Sequence, residues 1–385
     1  MDTTNLTYHD QVTIDNVRKL REVLQTLPPF ARDYFRAIEP TTSARTRISY
    51  AYDIRIFFNF LLTENPAFKG KTMYDKKGRT SGRQMLENMR RTQMTKKEFA
   101  ELTNGKILYL DGATGSNLYK AGMPRGVSTE QWVLEHPSVL QKLQKEYVEA
   151  GSQIVYAPTF AANALNLEFF DLEKEVARLN KELVAVSRDA VGGKAYIAGD
   201  VTTTGHLLEP AGDMEYGTLM HVYQEQIGVL AETGVDLIGI ETMMGLEETM
   251  AALDAAKSVC ELPVMCTLSL ESDGTARFGG SAEEIAATLE AMGASAVGIN
   301  CSSGPDQMES TIRIMSQAAG IPIIAKPNAG MPVITATGEV IYNMSPETFA
   351  SHMENLYKAG ASVLGGCCGT DPDYIRAVRK VLNRE

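Results

Sequence analysis

Eight short apolar runs spaced through residues 106–385 constrain this chain more than any other feature. They fall at residues 107–110, 154–156, 196–198, 237–240, 264–268, 296–299, 322–325 and 362–364. Runs this short, with little polar alternation, read as strands buried on both faces. Stretches of helical periodicity separate most of them, among them residues 137–150, 216–233 and 247–259. The alternation predicts an α/β fold with a parallel sheet, and the count of eight matches a (β/α)8 TIM barrel. A doubly wound open sheet accommodates the same alternation, but it does not bring the ends of runs one, four, six and eight to a common point as closure does.

The residues before the barrel follow other rules. Residues 15–27 carry apolar positions at helical spacing, Pro28-Pro29 interrupts them, and Thr41-Thr42-Ser43 can cap a second helix containing Tyr50, Ile54, Phe57, Phe58, Leu61 and Leu62. A small all-α domain over 1–70 is expected, then a polar linker over 71–104 with a short helix near 96–102, then the barrel over 105–385. Charge divides similarly: residues 1–105 hold 18 Lys and Arg against 12 Asp and Glu, and the rest hold 19 against 36, giving the net charge of −11. The basic leader raises nucleic-acid affinity as a separate possibility.

Barrel active sites lie where strands run into the following loops. At those ends stand Asp111-Gly112-Ala113-Thr114-Gly115, Pro158-Thr159-Phe160, Gly199-Asp200-Val201-Thr202, Glu241-Thr242, Asn300-Cys301, Lys326-Pro327-Asn328-Ala329-Gly330 and Gly365-Gly366-Cys367-Cys368-Gly369-Thr370. Adjacent side chains on a strand point to opposite faces, so Cys367 and Cys368 reach one ion only if the backbone leaves the pleat. Gly365, Gly366 and Gly369 permit that departure. A disulfide between neighbours is disfavoured, because Cα atoms about 3.8 Å apart are closer than bridged cysteines stand. Three thiols at strand ends, Cys301, Cys367 and Cys368, therefore point to Zn2+; inert buried thiols and a redox pair are the alternatives. Cys260 and Cys266 read as core fillers, and His206 as a loop histidine with a minor claim to a fourth ligand position.

Carboxylates, amides and thiols on one rim suit a small zwitterion bearing a thiol. Asp111 and Glu241 offer charge-assisted hydrogen bonds to an ammonium, and the backbone of Gly112, Ala113 and Thr114 offers N–H groups to a carboxylate. Asn300 joins them as a candidate substrate contact. The structural alternatives are a strand-end cap or ion pair for the acids and plain turn chemistry for the glycines.

The five cysteines, with no apolar N-terminal secretory segment, argue for thiol or metal chemistry over a disulfide framework. No apolar run approaches the ~20 residues of a membrane helix, and a soluble cytoplasmic protein without membrane partners is expected.

Residues 106–384 resemble the homocysteine S-methyltransferase family, most of all the homocysteine-binding module of cobalamin-dependent methionine synthase. The likeness rests on Leu110-Asp111-Gly112-Ala113-Thr114-Gly115, Gly298-Ile299-Asn300-Cys301-Ser302, Gly304-Pro305, Lys326-Pro327-Asn328-Ala329-Gly330-Met331-Pro332 and Gly365-Gly366-Cys367-Cys368-Gly369-Thr370. It implies that Cys301, Cys367 and Cys368 are zinc ligands and that Asp111 and Glu241 bind the homocysteine amino group. It also implies transfer of a methyl group to the homocysteine thiol, made nucleophilic by the metal, to give methionine. Because the sequence stops at Glu385, the donor is expected from elsewhere, as methylcobalamin on a separate corrinoid protein or as S-methylmethionine or betaine used directly. Residues 27–36 and 45–53 resemble the N-terminal core-binding domain of tyrosine recombinases. That family's catalytic domain has no counterpart here, so strand cleavage is not implied; a DNA-binding protein with the barrel as passenger is the competing functional class.

Overall fold

The eight expected runs form one parallel sheet of eight strands. In the computed structural model the described residues are 93–334 and 340–383, with isolated positions 19, 20, 24 and 54 near the N-terminus. The chain divides into two units, Met1–Arg91 and Thr92–Glu385. The expected helical domain at 1–70, its likeness to recombinases, and most of the expected linker lie outside the described residues.

In chain order the second unit runs α1 (Lys96–Thr103), β1 (Leu108–Tyr109), α2 (Gly115–Lys120), α3 (Thr129–Glu135), α4 (Pro137–Ala150), β2 (Ile154–Tyr156), α5 (Ala164–Glu168), α6 (Val176–Val191) and β3 (Tyr196–Val201). It continues with α7 (Tyr216–Thr233), β4 (Leu237–Met243), α8 (Leu246–Val259), β5 (Val264–Leu268), α9 (Ala282–Ala291), β6 (Ala296–Cys301), α10 (Glu309–Ala318) and β7 (Ile323–Pro327). A hairpin of β8 (Pro332–Ile334) and β9 (Val340–Tyr342) follows, then α11 (Pro346–Lys358), β10 (Ala361–Leu364) and α12 (Pro372–Leu382). The hairpin was not anticipated, because its strands are short and largely solvent-facing. No helix among the described residues is long and apolar enough to cross a membrane.

Parallel pairing orders the barrel β1-β10-β7-β6-β5-β4-β3-β2. The seam between β1 and β2 is closed by the Gln153 N–H donating to Tyr109 O at 2.7 Å, and by the Tyr156 N–H donating to Asp111 Oδ2 at 2.8 Å. A carboxylate thus substitutes there for a strand carbonyl. The fold is a (β/α)8 TIM barrel, as the count of runs implied.

Residues of one parity face the barrel axis: Leu108, Leu110, Ile154, Tyr156, Ala198, Leu237, Met265, Ala296, Ile324 and Val363 pack in one interior cluster. Residues of the other parity, such as Val155, Ile197, Ile238, Val297 and Ile323, pack outward against the helices. Helix starts and stops follow local chemistry. Pro137 opens α4, and Gly151, Gly192 and Gly234 end α4, α6 and α7 with left-handed caps.

The expected boundary at residue 105 differs from the described structure at its edge. Thr95 opens α1 with a capping box to Glu98, and the helix lays Phe99, only 1% exposed, against the interior cluster together with Met94. The Met94 N–H donates to Asp236 O, just ahead of β4, which sets α1 under the N-terminal ends of the strands. An amphipathic turn inside a polar stretch therefore belongs to the barrel. Replacing Phe99 with Ala should cost about 3–5 kcal/mol of unfolding free energy; denaturant melts of the full chain would read the loss, and an unchanged midpoint would show that the helix is not part of the core.

Candidate functional site

The inward parity that buries apolar residues low in the barrel brings charged ones to the axis at the C-terminal ends of the strands. Two or four residues beyond Ala198, Leu237, Ala296 and Ile324 stand Asp200 on β3, Glu241 on β4, Asn300 on β6 and Lys326 on β7. None of the four exceeds 8% exposure. Gly239 makes the layer possible, since a Cβ there would lie 2.6 Å from the Tyr156 ring. The Tyr156 ring fills that space, and the Lys326 ammonium sits 3.7 Å from its centroid.

Lys326 Nζ lies 2.5 Å from Glu241 Oε1 and 3.7 Å from Asp111 Oδ1. Burial alone pulls the Lys326 ammonium downward, but Glu241, Tyr156 and Asp111 outweigh it and hold the group above its ordinary range. Burial pushes Asp111 up to about 7, against the pull of Lys326 and the Tyr156 N–H. Burial and then Glu241 push Asp200 well upward, favouring its neutral form. Asp111 Oδ1 and Asp200 Oδ1 have no hydrogen-bond partner although both are buried. Three acids therefore share one ammonium, and two of their oxygens face the cluster unsatisfied. Lys326 and Asp200 were not singled out from the sequence; their parity relative to Ile324 and Ala198 was the available signal.

The second cluster is sulfur. Cys301 ends β6, Cys367 and Cys368 follow β10, and their Sγ atoms all lie within 4.8 Å of one another; among the described residues this is the group with metal-binding geometry. Cys301 has the parity of a helix-facing residue, but it and Ser302 adopt left-handed conformations, with φ of 60° and 49°. That break in the pleat frees the side chain from the outer face, at a cost of about 1–3 kcal/mol per residue. The Cys367 N–H donates to Pro327 O at 2.8 Å, Cys368 O accepts from the Ala329 N–H at 2.9 Å, and the Gly366 N–H donates to Asp111 O at 3.0 Å. The segment after β10 is thus tied to both β7 and β1. Hydrogen bonds from Cys301 and Cys367 hold the Cys368 thiol well below its ordinary range, and Cys367 is raised by donating to Cys301 and Cys368. Three thiols set this close can together face a cation once deprotonated.

Soft sulfur donors of this kind suit zinc. A further buried oxygen without a partner, Asn328 Oδ1, sits on the loop from β7 that the Ala329 and Asn328 N–H groups pin to Cys368 O and Ser303 O. The residues present fit a metal bound by three thiolates. Among the other cysteines, Cys266 is buried in the outer core, its thiol pushed up to about 12 by burial, and Cys260 packs against that core. His206 is exposed in the loop after β3 and stands outside the sulfur group.

Asn300 joins the two clusters. It is fully buried, and its Nδ2 donates to Thr242 Oγ1 at 2.6 Å and to Cys367 Sγ at 3.9 Å, while its Oδ1 accepts from the Thr242 N–H at 3.0 Å. Thr242, next to Glu241, holds a left-handed φ of 58°, unusual for a β-branched residue, and Asn300 clamps it there. The amide side chain expected to touch substrate bonds both to the acid strand and to the thiol loop.

The turn 112–114 is fixed from below. The Tyr147 hydroxyl donates to Ala113 O at 2.9 Å, and the Ala113 N–H donates to Thr370 Oγ1, which in turn donates to Cys367 O. Any Cβ at Gly112 would stand 2.6 Å from the Tyr147 oxygen, so only glycine fits. Asp111, Gly112, Ala113, Thr114, Glu241, Asn300 and the three cysteines all occupy the C-terminal end of the barrel.

Known proteins share this architecture. The chain is 29% identical to methionine synthase of Mycobacterium leprae over 297 residues, covering 72% of this chain and 24% of that protein. The methionine synthase of Mycobacterium tuberculosis matches at 29% over 299 residues, covering 73% and 25%. The chain thus spans about a quarter of the length of the curated relatives it matches. Among solved structures, the metallated form of the homocysteine methyltransferase MmuM from Escherichia coli superposes with a TM-score of 0.62 at 21% identity, covering 73% of this chain and 98% of that one, a likeness of fold. The family model for homocysteine S-methyltransferase matches residues 108–382, and the chain belongs to that family.

Proposed function

We propose that the barrel transfers a methyl group to the thiol of homocysteine, forming methionine, with Cys301, Cys367 and Cys368 holding Zn2+. The observation that carries the reading is the convergence of three sulfurs within 4.8 Å beside an acid cluster that carries one cation for three carboxyl groups. A bound zinc ion supplies deprotonation of the substrate thiol at neutral pH, where a free thiol with a pKa of about 8.5 is mostly protonated. The remaining work falls to the chain itself. Asp111, whose Oδ1 accepts no hydrogen bond, and Glu241 receive the substrate ammonium, and Asp200 adds a second oxygen that accepts none. Lys326 keeps Glu241 compensated while the subsite is empty. The turn at Gly112, Ala113 and Thr114 faces the substrate carboxylate, held in place by Tyr147 and Thr370. Asn300 fixes the distance between amino subsite and thiol subsite.

For the donor we favour methylcobalamin carried by a separate corrinoid protein. Its support is the Lys326–Gly330 motif together with the similarity to two methionine synthases. S-methylmethionine and betaine are the alternatives, and homocysteine assays with the three donors in parallel separate them. A soluble, cytoplasmic setting accords with this chemistry.

Single Ala replacements of Cys301, Cys367 and Cys368 should each abolish stoichiometric zinc and homocysteine-dependent proton release; full zinc in all three variants would end the assignment. Glu241→Gln should raise the KM for homocysteine at least about tenfold with a smaller change in kcat, as loss of a charge-assisted contact implies. A pH test addresses Asp111. Its folded pKa of about 7 exceeds the ordinary 3.8, so its contribution to stability is complete below 3.8 and lost as pH rises through about 7. Asp111→Asn removes that dependence, and thermal melts should lose part of their decline over this interval while homocysteine binding weakens. A variant melting with the wild-type pH slope would contradict the buried, raised carboxyl.

A further inference from the structure

We propose that Thr267 is a further substrate-binding residue, its hydroxyl accepting a hydrogen bond from the ammonium of homocysteine beside Asp111 and Glu241. The inference rests on the reading of the amino subsite above. It deepens that reading by giving β5, which contributes none of the residues placed in the site so far, a part in recognising the substrate.

Three observations carry it. Thr267 has the inward parity: Met265, two residues earlier, packs in the interior cluster, while Cys266 and Leu268 on either side pack outward against the helices. Second, Thr267 is 1% exposed, and its Oγ1 is buried without a hydrogen-bond partner. Third, its neighbours across the sheet belong to the acid cluster. On β4, Ile240 pairs with Cys266 and Met243 with Leu268, so Glu241 and Thr242 together oppose Thr267. On β6 it pairs with Gly298, two residues before Asn300, and that glycine sets no side chain beside the hydroxyl. A Cβ at Gly298 would collide with Ile324 O, so no larger residue can supply the missing partner from there.

The chemistry gives the hydroxyl its task. Buried hydroxyls are nearly always paired, because one left alone destabilises a fold relative to an apolar side chain of the same shape. Here the unpaired hydroxyl borders a site short of a cation, and an incoming ammonium brings three N–H donors. Glu241 Oε1 is already bonded to Lys326, so the ammonium needs acceptors beyond that oxygen. A hydroxyl lone pair accepts one N–H without adding a fourth acid to a cluster that holds a single lysine.

The test is calorimetric binding to the zinc-loaded full chain of homocysteine and of γ-mercaptobutyrate, which keeps the thiol and carboxylate but lacks the amino group. Thr267→Val keeps the volume and deletes the hydroxyl, so its metal-free melting temperature should equal or exceed that of wild type, with zinc content unchanged. Homocysteine affinity should fall about 10–100-fold, the scale of a hydrogen bond to a charged group, while γ-mercaptobutyrate binds as it does to wild type. Thr267→Ser, which restores the hydroxyl, should recover most of the homocysteine affinity. Thr267→Ala carries the same comparison where valine disturbs the packing. Wild-type homocysteine affinity in the Val and Ala variants, or an equal loss for both ligands, would overturn this inference alone. A wild-type chain that loads zinc but binds no homocysteine would overturn the reading of the amino subsite and this inference with it.

Discussion

Closing eight parallel strands places alternate side chains of each on a common axis, and the rest of the molecule follows from what the sequence puts there. Low in the barrel the axis is apolar, capped from beneath by Phe99. At the upper level it becomes ionic, with Asp200, Glu241 and Lys326 all buried there. Burying these charges is tolerable only because they compensate one another, since an uncompensated buried charge costs about 3–5 kcal/mol. Compensation is incomplete: three acids share one ammonium, and two of their buried oxygens accept no hydrogen bond. In the proposed function the missing cation is the substrate amino group, so the feature that weakens the empty barrel is the one that binds.

The sulfur cluster depends on departures from the same regularity. A strict strand would turn Cys301 toward the helices and set Cys367 and Cys368 on opposite faces. Left-handed backbone at Cys301 and Ser302, and glycines at 365, 366 and 369, undo the alternation where the metal reading needs it undone. Asn300 spans the two regimes: its parity is regular, and its amide reaches both Thr242 on the acid strand and Cys367 in the thiol loop. One buried side chain thereby ties the acid strand to the thiol loop.

Much of this was legible in the sequence. Short apolar runs at regular intervals announce a parallel sheet buried on both faces, and the need to unite the ends of runs one, four, six and eight favours a closed barrel over a doubly wound sheet. The cysteines stood out because glycines flank the pair and because each group ends an apolar run. Lys326 was less visible: it sat inside a quoted motif, and its role depends on a partner 85 residues away on β4. Asp200 could have been found by carrying the inward parity of Ala198 two residues further. The β8–β9 hairpin could not, since its packing over Gly369 is decided by tertiary contacts. Helix α1 was expected near 96–102, but its place beneath the barrel was hidden for a related reason, as one buried Phe in a polar stretch carries little periodic signal.

The central claim is that three cysteines of this barrel hold a metal with one position left for a substrate thiol. X-ray absorption at the zinc edge of the loaded full chain, with and without homocysteine, tests it most directly. The account predicts three sulfur neighbours at about 2.3 Å, rising to four when homocysteine is added. A shell with fewer than three sulfurs, or one that homocysteine leaves unchanged while it binds, would contradict it.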